Sequence, residues 1–293
     1  MNAAFTRQQP LETPPRADRM RLGQQLLGAG KLTESQVTLI LEAQRARKLR
    51  FGETAVGLGL LSEPDLRTAL ARQYHYPCLV AKEAGLSPQL FAVAEPYGTQ
   101  SEALRTLRSQ LSLRWFTDRR KSIAITSARR NEDSASLAAN LAVSFAQLGE
   151  RVLLIDANLR DPQQHILFGL DSTVGLSSLL SERCDVEATL TAVPGFEDSL
   201  MVMCAGAQPP NPQELLNKVA FSYLIETAPR LFDVVLVDTP PFLESADAQL
   251  IAALIGGCVL ATRRHRTRVG DVEEIKRQLQ GSRAEIIGAV VLD

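Results

Sequence analysis

Apolar and polar positions follow two different rhythms along this chain. In the first 75 residues the apolar positions recur every three or four residues. Val37, Ile40 and Leu41 form one stripe, and Leu66, Ala69 and Leu70 form another, so both stretches read as amphipathic helices. The pattern is also repeated. Arg21–Gln44 and Arg50–Gln73 align without gaps, 24 residues each, across the spacer Arg45–Leu49. Each copy reads as a short helix, a glycine break and a longer helix. Thr33 with Gln36 makes a capping box, and Ser62 with Asp65 a weaker one. These features predict a small helical domain over residues 20–76, made of two packed helical pairs.

The rhythm then changes. Residues 77–100 carry Pro77, Pro88 and Pro96 and read as a linker, while residues 1–19 read as a disordered lead-in. Leu104, Leu107, Leu111 and Trp115 share one face of a helix over 101–116. Continuous apolar, β-rich runs follow at Ser122–Ile125, Val152–Ile155, Leu200–Met203, Val234–Val237, Cys258–Ala261 and Ile286–Leu292, with helical stretches between most of them. Such alternation predicts an α/β domain over 101–293: a mainly parallel, doubly wound sheet with helices on both faces. Ligands of such sheets bind at the carboxyl ends of the strands.

Composition narrows the class only a little. The net charge of -1 gives no reason to expect nucleic acid as the main partner. The four cysteines (Cys78, Cys184, Cys204 and Cys258) form no CxxC pair, which suits reduced thiols in the cytoplasm. The N-terminus lacks the apolar core of a signal peptide. The longest apolar run, Leu250–Ala261, is too short to cross a bilayer, so membrane association is expected through a partner rather than by insertion.

The candidate chemistry sits at three strand ends. Residues 121–148 give an apolar strand, a polar loop from Ser127 to Ser134 and a helix from about Ala135 to Gln147, the frame that holds phosphates on backbone N–H groups. The loop has no glycine, and Ser134 stands where a lysine is expected. Asp156 and Asp238 each end an apolar strand, where a carboxylate can hold Mg²⁺ on a nucleotide or order its water. Glu102, Arg105 and Arg108 lie three apart on a helix face, a spacing that also suits a solvated intrahelical ion pair. His75, His165 and His265 have no metal spacing. The basic stretch Arg263–Arg268 can touch a phosphate or a partner, and a solvated loop is the plainer reading.

Residues 101–293 resemble the bacterial tyrosine kinases, relatives of the MinD/ParA ATPases with a modified P-loop. The resemblance lies in ITSAR…AANLAVSFAQLGERVLLIDANLRDP, AGAQPPNPQELL and FDVVLVDTPP. It implies a P-loop NTPase fold, ATP and Mg²⁺ as cofactors, Asp156 and Asp238 as catalytic and metal-binding acids, and Glu102, Arg105 and Arg108 as an oligomerisation motif. It also implies a homo-oligomer docked on a membrane polysaccharide co-polymerase, cytoplasmic and peripheral to the inner membrane. The family loop is typically SARxGEGKS, and the copy here departs from it. Asn131 and Asp133 replace its glycines, Ser134 its lysine and Ala135 its metal-ligating hydroxyl, while Ser127 is kept. Asn158 replaces the second aspartate of the next motif. The expectation is therefore a pseudokinase: a loop of partly kept shape, with Asp133 capping the helix at its positive end. Rescue of phosphate binding by Arg129 and Arg130 is an alternative. Family members usually end in a tyrosine-rich tail, and the last tyrosine here is Tyr223.

The N-terminal repeat is similar to the MshEN domains of secretion and pilus-extension ATPases. That similarity implies cyclic di-GMP as a ligand, with Arg21, Gly23 and Gln44 in one motif and Arg50, Gly52 and Gln73 in the other. Docking alone is the other role of such a domain. The pairing of the two parts resembles the chain-length determinant tyrosine kinases of exopolysaccharide operons. An active autokinase with an atypical loop is the alternative, as is a MinD/ParA-like positioning protein. The missing lysine and the stretch Pro209–Leu216 argue against the latter.

Overall fold

The computed structural model describes residues 22–47, 49–63, 65–66, 69–70 and 85–293. The chain divides into two compact units, Met1–Cys78 and Leu79–Asp293.

The first unit contains α1 (Leu22–Gly28), α2 (Glu34–Arg47) and α3 (Phe51–Gly57), and residues 63, 65–66 and 69–70 are also helical. The two copies of the repeat turn alike. Gly30 and Gly59 sit at φ 66° and 69°, a left-handed conformation that costs a glycine little, and so end the first helix of each copy. The capping box forms as the sequence predicts: Thr33 N donates to Gln36 Oε1 at 2.8 Å and Gln36 N to Thr33 Oγ1 at 3.3 Å. Asp65 N likewise donates to Ser62 Oγ at 3.2 Å. Leu26, Leu32, Ile40, Ala55, Leu61 and Ala69 form the core. Leu41, placed on the apolar stripe from its spacing, is instead exposed. Adjacent helical residues point about 100° apart, and Ile40 takes the inward direction.

The second unit is built on seven strands: β1 (Ser122–Ser127), β2 (Val152–Asp156), β3 (Leu190–Ala192), β4 (Leu200–Met203), β5 (Val234–Asp238), β6 (Gly257–Arg263) and β7 (Glu285–Leu292). Their order is β3-β4-β2-β5-β1-β6-β7, and every pairing is parallel except β3 with β4. The six strands read from the sequence are present. The seventh, β3, spans only three residues at the sheet edge, too few to show a period. β1, β2 and β5 are buried along their whole length, which is why they read as unbroken apolar runs. Their side chains alternate between two cores: Ile123, Ile125, Leu154 and Leu236 enter one, and Ala124, Leu153, Ile155 and Val237 the other.

Part of the stretch read as a linker is packed into this unit. Within it, α4 (Phe91–Ala94) forms, and Leu86, Leu90, Ala92 and Val93 are buried. This strap lies against α6 (Ser134–Ala146), which follows α5 (Thr99–Arg114) in the chain. Asn140 of α6 accepts from Ala92 N and donates to Gln89 O, both at 2.9 Å, and Gln147 Nε2 donates to Ala92 O at 2.9 Å.

The predicted face of α5 is observed, with Leu104, Leu111 and Trp115 buried. Trp115 Nε1 donates to Ser122 O at 2.9 Å, and Gly257 lies under the indole. A Cβ at Gly257 would overlap that ring, so Gly257→Ala should destabilise the second unit by about 1–3 kcal/mol through overpacking. Thermal unfolding followed by the fluorescence of the single tryptophan checks this; an unchanged midpoint would refute it.

Candidate functional site

β1 is flanked by β5 and β6, with β2 beyond β5, so the loops leaving their carboxyl ends meet over one edge of the sheet. The loop 128–133 joins β1 to α6 there. It borders a cleft of about 400 Å³ whose lining includes Asn131, Asp133, Ser134, Ala135, Asn158 and Arg160. No lysine lines the cleft among the described residues.

The loop keeps its turn without glycine. Asn131 at φ 62° and Asp133 at φ 57° are both left-handed, and Asn and Asp are the residues after glycine that accept this best. A buried carboxylate holds the loop from inside. Glu132 Oε2 accepts from Ala128 N at 2.8 Å and Arg129 N at 3.0 Å, while its Oε1 accepts from the Thr267 hydroxyl at 2.7 Å. Ser127 Oγ donates to Arg129 O at 3.0 Å, and Ser134 Oγ lies 3.4 Å from Ser127 Oγ.

The expected cap is not made. Asp133 occupies the position before α6, but its carboxylate bonds no N–H of the helix. A capping side chain needs extended backbone at that position, and Asp133 is left-handed. Its Oδ2 accepts instead from Arg263 Nη1 at 2.6 Å. Arg129 and Arg130, considered as rescuing cations, are also engaged. Arg129 makes a two-pronged pair with Asp271 at 2.9 and 3.0 Å, which holds the Asp271 carboxyl below the usual range and raises the guanidinium. Arg130 pairs with Glu244 at 2.8 Å. Arg160, beyond the second strand end, pairs with the buried Asp247 at 2.7 Å.

Asp156 and Asp238 are brought together as the sequence leads one to expect. They are paired positions on adjacent parallel strands, and both are fully buried. Asp156 is held by the amides of its own loop: Oδ1 accepts from Asn158 N at 3.2 Å, and Oδ2 from Gln163 N at 3.1 Å and Gln164 N at 3.0 Å. It thus anchors the start of α7 (Gln164–Phe168). Asn158 turns the same loop, its Oδ1 accepting from Asp161 N at 3.1 Å. Gln164 reaches the other acid, donating to Asp238 Oδ2 at 2.7 Å and to Ala135 O at 3.1 Å. Among the described residues, Asp238 Oδ1 and Gln164 Oε1 have no hydrogen-bond partner. Burial pushes the Asp156 carboxyl up to about 7. Burial, then the charge of Asp156, pushes Asp238 well above the usual range. Gln164 carried no motif in the sequence, because its role depends on the Asp156 loop folding back onto β5.

Elsewhere, Arg105 bonds Glu102 Oε2 within α5 and donates to Pro96 O at 2.7 Å, while Arg108 Nη1 donates to Ser144 O at 2.5 Å. In the first unit Gly23 and Gly52 are buried, and a Cβ at Gly52 would meet Leu66 at 2.5 Å. Gln44 is half-buried and Arg50 exposed, while Arg21 and Gln73 lie outside the described residues. No cluster of three or more His, Cys, Asp or Glu that could hold a metal occurs among the described residues, and no helix among them is long and apolar enough to cross a membrane.

A seven-stranded, mainly parallel sheet with a strand–loop–helix at its carboxyl edge defines a P-loop NTPase fold. No family model matches the chain. It is 38% identical over 202 residues to the tyrosine-protein kinase YwqD of Bacillus subtilis (strain 168), covering 69% of this chain and 84% of that one. It is 31% identical over 213 residues to the putative tyrosine-protein kinase CapB of Staphylococcus aureus, covering 73% and 92%. Among solved structures, the kinase domain of the Escherichia coli tyrosine kinase ETK superposes with a TM-score of 0.65 at 30% identity, covering 69% of this chain and 78% of that one. The chain belongs to the bacterial tyrosine-protein kinase family.

The acid pair has a measurable consequence. A carboxyl raised to about 7 keeps a proton in the folded chain that the unfolded chain, with an ordinary carboxyl near 4, has lost. Stability should therefore fall as pH rises from about 4 to about 7, by up to about 1.4 kcal/mol per pH unit for one proton. Asp156→Asn, which removes the raised carboxyl itself and the charge that helps raise Asp238, should flatten that slope. Urea unfolding across this range checks it, and equal slopes in both proteins would refute it.

Proposed function

We propose that this chain is a kinase-family regulator of exopolysaccharide synthesis, export and chain length with little or no phosphoryl transfer of its own. In this reading it stays in the cytoplasm, docks as a homo-oligomer on a membrane polysaccharide co-polymerase, and uses Glu102, Arg105 and Arg108 at the contact between copies.

The observation that carries the reading is that the two arginines lining the cleft among the described residues, Arg130 and Arg160, are each already paired with a carboxylate. Ser134 and Ala135 bring a hydroxyl and a methyl where the family brings an ammonium and a metal-ligating hydroxyl. The surrounding arginines, Arg129, Arg130, Arg160 and Arg263, are each paired with a carboxylate. Mg²⁺ needs a near-octahedral oxygen shell. Here Asp238 Oδ1 has no hydrogen-bond partner among the described residues, and burial holds that acid toward its neutral form. These residues do not fit a magnesium triphosphate. Losing a single preorganised charge-stabilising donor costs on the order of 10²–10³ in rate, and here a cation and a metal ligand are both gone.

Calorimetry with Mg²⁺-ATP on the full chain tests this. The wild type should give no saturable heat, and micromolar affinity would sink the proposal. The combined variant Asn131→Gly, Asp133→Gly, Ser134→Lys and Ala135→Ser should recover binding.

For the first unit the proposed ligand is cyclic di-GMP. The matching turns at Gly30 and Gly59, together with the exposed Arg50, support a two-fold site. Arginine can stack on a purine or grip a phosphate. Titration of cyclic di-GMP should give saturable heat with the wild type and at least tenfold weaker binding with Arg50→Ala. No heat with either would leave docking as the unit's role.

A further inference from the structure

The basic stretch Arg263–Arg268 is seated on the phosphate-loop frame. β6 ends at Arg263, beside β1 and on the ligand side of the sheet. The chain then turns tightly: His265 is left-handed at φ 61°, Thr267 N donates to Arg263 O at 3.0 Å, and Arg263 N donates to Thr267 Oγ1 at 2.8 Å. The same Thr267 hydroxyl donates to Glu132 inside the loop. Arg266 Nη1 approaches Asn131 O at 3.5 Å. The turn is therefore fixed to the loop before any charge is considered. It delivers the Arg263 guanidinium to Asp133, one residue before α6, a helix that the Asp133 side chain itself does not cap.

The four arginine pairs around the cleft are not equivalent. Arg129, Arg130 and Arg160 are held by Asp271, Glu244 and Asp247, which stand outside the loop. Arg263 alone among the four is paired with a carboxylate of the loop itself. Like that of Arg130 with Glu244, its guanidinium contact is through a single nitrogen, with 33% of its side chain exposed and 44% of that of Asp133. A single-contact, part-exposed pair exchanges more readily than a two-pronged one, and guanidinium is well matched to phosphate oxygens.

We propose that Arg263 supplies the cation missing from position 134, and that Asp133 is its built-in counter-ion, occupying it against phosphate-bearing anions. This rests on the reading of the cleft given above and goes beyond it. The loop has changed its charge arrangement, with the positive group moved from the helix start to the end of β6 and masked there by the residue that replaced a glycine.

Calorimetric titration with sodium pyrophosphate and with Mg²⁺-ADP on the full chain tests the proposal. Asp133→Asn keeps a residue that tolerates left-handed backbone and removes the charge. It should bind at least tenfold more tightly than the wild type. Asp133→Asn with Arg263→Gln should lose that gain. Thermal melting of each variant checks that it is folded, and Asp133→Gly replaces Asp133→Asn if the latter is not. No gain in the single variant, or a gain that survives loss of Arg263, would overturn the assignment. Tight Mg²⁺-ATP binding by the wild type would instead overturn the pseudokinase reading, so the two failures are separable.

Discussion

The carboxylate of Glu132 lies under the loop between β1 and α6 and accepts two of that loop's amides and one hydroxyl from the β6–α12 turn, where α12 spans Val269–Leu279. A loop that has lost its glycines must find its shape elsewhere. Part comes from Asn131 and Asp133, which accept left-handed backbone at modest cost, and part from this buried acceptor. Removing such an acceptor would leave buried N–H groups unpaired, at about 1–3 kcal/mol. The surface ion pairs around it contribute far less each, about 1 kcal/mol or below. Glu132 therefore fixes the geometry, and the arginine pairs set the charge.

The same division separates shape from charge at this site. The frame, the sheet order and the paired acids persist, because each is built into strands that are buried on both faces. The charges on the loop have no such constraint. Position 134 sits at the mouth of the cleft, so a serine there disturbs no core.

Much of this was readable in the sequence. The unbroken apolar runs gave six of seven strands, and the repeat gave the helices and the capping box at Thr33. Asp156 and Asp238 were placed at strand ends that do meet. What escaped depended on contacts far apart in the chain. Nothing local marks Gln164 as the bridge between the two acids, or Asp271, Glu244 and Asp247 as partners of arginines more than 80 residues away. The role assigned to Asp133 failed for a local reason: its backbone is left-handed, and its side chain makes no bond to the helix it was expected to cap. The plainer reading of Arg263–Arg268 as a solvated loop fits the exposed Arg264, His265, Arg266 and Arg268, but nothing local announces the contacts of Arg263 and Thr267 with the loop after β1.

The strap of residues 85–98 changes where the second unit begins. Sequence similarity to kinases is easily read as starting at the α5 helix, yet the fold does not close there. Leu86, Leu90 and Val93 fill a side of the core, and burying a leucine or valine is worth about 1.5–3 kcal/mol. Asn140 and Gln147 spend their amides on this strap, on the very helix that carries the phosphate loop. A fragment cut at residue 99 would expose a hydrophobic trough along that helix and strand two buried amides within it. The second unit therefore includes the strap, and its N-terminal boundary lies on the far side of it.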